Sequence, residues 1–363
     1  MGDGTFAFLP YVVSQDIEKP QTHFDHIVSN DSTGFSPSLT VKHNSKKELS
    51  VNNCTTSINM FLMEDYARQI GVDIQNSEMH SYLNPYAFEI NHIVYPDFED
   101  KSPEVIREPL PLNLSPYTVL STEDELQSLI VLLKQVNMIG FDIRQHTYRS
   151  YLGFICVISI STYDCDYIID ALSLHNVLWK LNDVFTDERI VKVYSGNDSL
   201  LLALQRDFNI FTVNLISLAQ AARVLSYGNE SVKGLMNRFC GVHYTLLSSG
   251  CDWRCRPLTE IMIEDCRRET HFMPYLFDMM RKRLIESSPQ SLNLIHDVIA
   301  RGNESSLLTY EKPIYSYETG SWLIPKMGLL LSTEQKHMFL SLCYWRDIVA
   351  RVLDESAEFI LPI

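Results

Sequence analysis

Apolar positions are thin and irregular over the first third of the chain and become periodic only from Tyr117. Residues 1–116 therefore read as an extended, partly disordered arm, with Asn, Ser, Asp and Pro scattered through 28–55. A short helix is predicted at 59–70. Asn84-Pro85-Tyr86-Ala87-Phe88-Glu89-Ile90 carries large anchors able to lie along a neighbouring surface, and Pro103 to Pro116 reads as an extended connector. Residues 117–286 form the patterned domain. Ser121-Thr122-Glu123-Asp124 opens a helix whose stripe is Leu126, Leu129, Ile130 and Leu133. Strands are predicted at 138–144, 154–161 and 167–169, as an antiparallel ribbon. A helix around 175–184 leads to a fourth strand at 190–194. The turn Ser195-Gly196-Asn197-Asp198 then enters a helix over 200–208. After an apolar run at 210–216 come helices near 217–225, 231–240 and 258–285. This order predicts an α/β fold with a mixed central sheet and helices packed on it. Residues 287–330 read as a Pro- and Ser-punctuated connector. Residues 331–363 read as an amphipathic helix through Trp345-Arg346-Asp347, too short to bury a core alone.

Charge changes that picture more than composition does. The 363 residues carry 45 acidic and 30 basic side chains, a net of −15, so any nucleic-acid contact must come from a local groove. Eight cysteines without an N-terminal apolar signal region predict free thiols in a reducing compartment. No apolar run reaches the ~20 residues of a membrane helix, so a soluble intracellular protein without a membrane partner is expected.

Three stretches converge on the mouth of the predicted sheet. Asp142 ends the apolar run Met138-Ile139-Gly140-Phe141, and Arg144 follows on the same strand face. The second stretch is Ser195-Gly196-Asn197-Asp198-Ser199-Leu200. The third is the helix segment from Glu264 to His271, where Asp265 and Glu269 stand one turn apart. An acid at the mouth of a buried strand is a natural metal ligand, but a cation beside it cancels that use. Cys251, Cys255, Cys266 and His271 suit Zn²⁺ by type, yet their spacing is not a usual zinc signature and free thiols are preferred.

In this order the stretches resemble the DEDD-type 3′–5′ exonucleases of the ribonuclease D group, a ribonuclease H-like fold. The match narrows to the nuclear-exosome-associated 3′–5′ exoribonucleases. The phrases that carry it are 147–153 (TYRSYLG), 191–199 (VKVYSGNDS), 220–225 (QAARVL), 252–258 (DWRCRPL) and 269–272 (ETHF). Asn84-Pro85-Tyr86 looks like the family's arm ahead of its nuclease domain. The stretches 331–335 and 344–347 look like the first helices of its helical HRDC domain, here partial, and the family's N-terminal cofactor-binding region is expected to be absent. The resemblance implies the RNA exosome core and RNA as partners, no DNA, and a nuclear, nucleolar or nucleoplasmic, location. It also implies a reaction in which four carboxylates hold two Mg²⁺ or Mn²⁺ ions and a metal-bound water attacks the 3′-terminal phosphodiester.

This sequence departs from the family at those ligands. Asp142 matches the first acid, Arg144 replaces the second and Leu200 the third, while Glu269 stands for the last Asp. Asp198 matches a position that is not a ligand, and Asp265 falls at the tyrosine that positions the attacking water. Two carboxylates and a guanidinium carry about one negative charge against four positive, so Arg144 is expected to bridge Asp142 and Glu269 as an internal cation. The expected protein is an RNA- or exosome-binding scaffold needing no cofactor. The alternative is an active metal-dependent exoribonuclease with altered ligands, in which Asp142, Asp265 and Glu269 would hold an ion. His146, Tyr148, Arg149, Trp253, Arg254 and His271 are the candidate RNA contacts. Each has a plainer reading as a core anchor or paired group. Arg281-Lys282-Arg283 reads better as a solvated helix face than as a nuclear-entry patch.

Overall fold

A computed structural model describes residues 17–47, 83–96, 101–103, 105–228, 231–243, 248, 250–289, 293–316, 320–328 and 330–362. The helix predicted at 59–70 lies outside them. Six strands form one mixed sheet: β1 Tyr117–Leu120, β2 Met138–His146, β3 Phe154–Ser161, β4 Asp166–Asp170, β5 Val191–Tyr194 and β6 Leu215–Ser217. Their spatial order is β1-β4-β3-β2-β5-β6. The ribbon β2-β3-β4 is antiparallel, and β1, β5 and β6 join it in parallel. Edge strand β1 was not foreseen. Three of its four residues are exposed, so it lacks the apolar signature of the inner strands.

The helices are α1 Ala87–Asn91, α2 Glu123–Leu133, α3 Asn182–Phe185, α4 Asp198–Phe208, α5 Leu218–Val224, α6 Val232–Cys240, α7 Glu260–Thr270, α8 Met273–Glu286, α9 Leu294–Leu307, α10 Leu323–Lys326, α11 Thr333–Leu353 and α12 Ala357–Ile360. Capping boxes open α2 at Thr122 and α11 at Ser332. The helix expected over 258–285 is two helices. Pro274 lies in the first turn of α8, where its missing N–H breaks no helical bond. The region read as a connector holds the 14-residue helix α9, with Ile295, Val298 and Ile299 buried.

Strand β2 is the spine. Its odd residues Ile139, Phe141 and Ile143 enter the core built with Leu126, Leu129 and Leu204 of α2 and α4. Gly140, Asp142 and Arg144 consequently point to the opposite face, which α7 and α8 cover. A side chain at Gly140 would place its Cβ 2.6 Å from the Met273 Cβ and 3.0 Å from the Thr270 carbonyl oxygen, so glycine is what lets the α7–α8 corner rest on the strand. Gly302 does the same for α9, since a Cβ there would lie 1.9 Å from the Leu215 carbonyl oxygen. β2 pairs with β5 only as far as Gly140, which leaves Asp142 just past the end of that pairing.

The arm is ordered where it is described. Tyr86 is fully buried against Phe211, and Asn84 donates to the Ser306 carbonyl at 2.8 Å. At the other end of the chain, Asp354 accepts from Tyr151 N–H, Ser150, Gln21 and Asn30 within 3.1 Å. This joins the arm, the loop after β2 and the end of α11.

Candidate active site

Asp142 and Arg144 meet as their spacing requires. Arg144 Nη1 lies 3.1 Å from Asp142 Oδ2, and both side chains are largely withdrawn from solvent. The contact is ionic rather than a well-directed hydrogen bond, since that Oδ2 has no hydrogen-bond partner. Burial raises the Asp142 carboxyl above its ordinary range, opposed by the Arg144 charge. Burial disfavours the Arg144 cation, but Asp142, Cys266 and Glu269 outweigh it and hold the guanidinium charged. The indole of Trp253 lies 5.6 Å from the Arg144 guanidinium carbon. Cys266, buried on α7 beneath this pair, has its thiol pushed up to about 12 by burial.

Leu200 stands in the first turn of α4, half-buried against the apolar core, and supplies no oxygen to the cleft. Asp198 accepts from the Tyr194 hydroxyl at 3.0 Å. Asp265 is fully buried. It accepts from the Ser248 N–H at 2.5 Å, and Arg268 lies 3.6 Å away. Glu269 is half-buried in the last turn of α7 and acts on Arg144 through its charge. Among the described residues no group of three or more His, Cys, Asp or Glu side chains is placed to hold a metal ion. A guanidinium in contact with the first carboxylate and a leucine in the first turn of α4 do not fit a pair of divalent cations.

The candidate RNA-contacting residues have protein partners. His146 is buried, accepts from the Arg149 N–H at Nε2 (3.0 Å), and turns Nδ1 toward Asp252 at 3.4 Å. Arg254 grips Asp252 with Nε and Nη2 at 3.0 and 2.6 Å, both side chains almost fully buried. Trp253 packs among Phe154, Val157, Met262 and Cys266 as a core anchor. Arg149 pairs with Glu355 through two bonds of 2.8 Å and lies 4.1 Å from the Phe359 ring, whose edge also meets Tyr148. His271 is buried between the Asp166 carboxylate at 3.0 Å and the Leu110 carbonyl at 2.8 Å. Arg281 pairs with Asp278 at 2.9 Å. The seven described cysteines are free thiols.

The His146 environment has a pH consequence. Burial first, then the Arg254 charge, pushes His146 down to about 4, with Asp252 and Glu355 opposing and Arg149 adding to the shift. A histidine held below its ordinary pKa adds stability that is complete above about 6.5 and is lost as pH falls through the folded value. Urea midpoints should therefore drop from pH 6.5 toward pH 4, and His146→Asn should flatten that slope. An unchanged slope would assign the acid loss to other groups.

Two residues not singled out from sequence organise the back of the site. Asp166 on β4 is fully buried and takes Arg267 Nε at 2.9 Å as well as His271. Arg267 also donates to the Leu112 and Ser115 carbonyls at 2.7 and 2.8 Å. A readable signal existed: Arg267 and His271 are i, i+4 on a helix facing an acid that opens an apolar strand.

The mixed six-stranded sheet with helices packed on it is the fold of a 3′–5′ exonuclease-type domain. Residues 117–285 match the family model described as 3′–5′ exonuclease. The chain is 34% identical to the exosome complex component 10 homolog of Caenorhabditis elegans over 95% of its own length and 38% of that protein. It is 32% identical to the exosome complex exonuclease RRP6 of Saccharomyces cerevisiae, over 99% of itself and 48% of that protein. The crystal structure of the catalytic core of RRP6 from Trypanosoma brucei superposes with a TM-score of 0.79 at 26% identity, covering 96% of this chain and 87% of that one. The chain belongs to this exosome component 10/RRP6 family of ribonuclease D-like proteins. It spans less than half the length of these two curated relatives. Among the described residues no helix is long and apolar enough to cross a membrane.

Proposed function

We propose that this chain is a catalytically degenerate member of its family, acting in nuclear RNA processing or decay as a scaffold that binds RNA and the exosome core. The reaction supported by paired Mg²⁺ or Mn²⁺ needs acids that neutralise the two ions and leave room for them. Here the single observation that carries the reading is the guanidinium of Arg144, 3.1 Å from the one acid kept in place, Asp142. It supplies from within the protein the positive charge that ions would otherwise bring. Glu269 adds to the same balance, Leu200 removes an acid, and the Asp265 carboxylate is engaged by Ser248 N–H. Residues 331–362, with α11 and α12, then serve as a partial HRDC segment docked through Arg149 and Asp354.

The test is incubation of purified chain with 3′-labelled single-stranded RNA and Mg²⁺ or Mn²⁺. The RNA is expected to stay at full length. Shortening by the wild type but not by Asp142→Ala would overturn the reading in favour of an active exoribonuclease with altered ligands.

A further inference from the structure

A cavity of about 570 Å³ lies beside the candidate site and is used by none of the chemistry described above. Its outer wall is the strap from Glu108 to Asn113, and its inner wall is the end of α6 with one face of α7 and the start of α8. The strap is fixed rather than loose. His271 and Arg267, both anchored on the fully buried Asp166, hold the carbonyls of Leu110 and Leu112. Glu264 and Arg268 line the cavity as an ion pair, one helical position before Asp265 and Glu269. The cavity and the candidate site thus share helix α7 and lie on adjacent faces of it.

The lining combines two properties. Phe239, Phe272 and Tyr275 offer aromatic surface, while Glu264, Arg268 and Asn113 offer both hydrogen-bond acceptors and donors. A planar heteroaromatic ring needs apolar contact on its faces and mixed polar contact on its edge. Glu108 and Glu264 also disfavour a phosphate inside the cavity, so the backbone of such a ligand stays at the rim.

We propose that this cavity takes an unstacked base of single-stranded RNA whose strand runs along α7. The inference rests on the RNA-binding reading above and adds a place on the protein to it. Volume supports it, since ligand sites of about 300–1,000 Å³ are usual for molecules of nucleotide size.

The probe is a short single-stranded RNA carrying 4-thiouridine, used on the full chain in EDTA so that ions play no part. Irradiation should crosslink it to peptides from 236–243 or 268–275. Leu110→Trp fills the cavity from the strap while keeping the carbonyl that His271 holds, and should weaken RNA binding roughly tenfold, the scale of one lost base stack. Phe239→Ala gives an independent reading by removing a wall. Wild-type binding with crosslinks elsewhere and no effect of either substitution would overturn the inference while leaving the RNA-binding reading standing. Absence of RNA binding by the wild type would remove both. A circular dichroism spectrum matching wild type separates lost binding from a misfolded variant.

Discussion

Restoring the acids, through Arg144→Glu, Leu200→Asp and Glu269→Asp together, is expected to give a chain that binds Mn²⁺ with measurable heat, where the proposed reading expects none from the wild type. The reason is charge at short range. Two unit charges 4 Å apart near a protein surface interact by about 4 kcal/mol, and by roughly twice that when one is a divalent ion. A guanidinium 3.1 Å from Asp142 therefore opposes any cation at that carboxylate by several kcal/mol, and a glutamate in its place reverses the sign. Leu200→Asp adds a further acid at the first turn of α4, where Leu200 is only half-buried. Leu200→Asp alone should do far less, because the Arg144 charge remains. Calorimetry on the single and combined variants checks this ordering. Strong Mn²⁺ binding by Leu200→Asp alone would show that Arg144 does not control the site.

Arg254→Ala should be the most damaging single substitution outside the apolar core, costing roughly 3–5 kcal/mol of unfolding free energy. The substitution leaves Asp252 buried without the guanidinium that now grips both its oxygens. That pairing overcomes burial and holds the Asp252 carboxyl below the usual carboxylate range. His146 cannot compensate, because its own charge is suppressed by burial. Urea unfolding at neutral pH measures the loss. A cost near zero would mean that water reaches Asp252 and that Arg254 is free for another role. Asp252→Asn together with Arg254→Ala should recover part of the loss, as removing both charges leaves none stranded.

Much of the fold was legible because its signals are local. The strands of the ribbon show in their unbroken apolar runs, and Thr122 and Ser332 announce their helices as caps with partners three residues on. Helix α9 escaped because its stripe of Ile295, Val298 and Ile299 is short and is followed by Gly302, which reads as a helix breaker. Only the approach of β6 explains that glycine. The break between α7 and α8 was marked by Pro274, a residue as fitting at a helix start as in a connector. Of the site, the Asp142–Arg144 contact followed from the two-residue period of a strand. The surroundings of Tyr148 and Arg149 did not, since their partners Phe359 and Glu355 lie about two hundred residues further along. No local pattern encodes such a pairing. The place of Cys266 beneath Arg144 was likewise invisible, because it depends on how α7 crosses the sheet.

The most direct measurement is a Mn²⁺ soak with anomalous scattering recorded at the Asp142 carboxylate. No anomalous peak is expected there, with the Arg144 guanidinium still in contact with Asp142. A manganese ion bound to Asp142, with Arg144 swung away to admit it, would contradict the account outright.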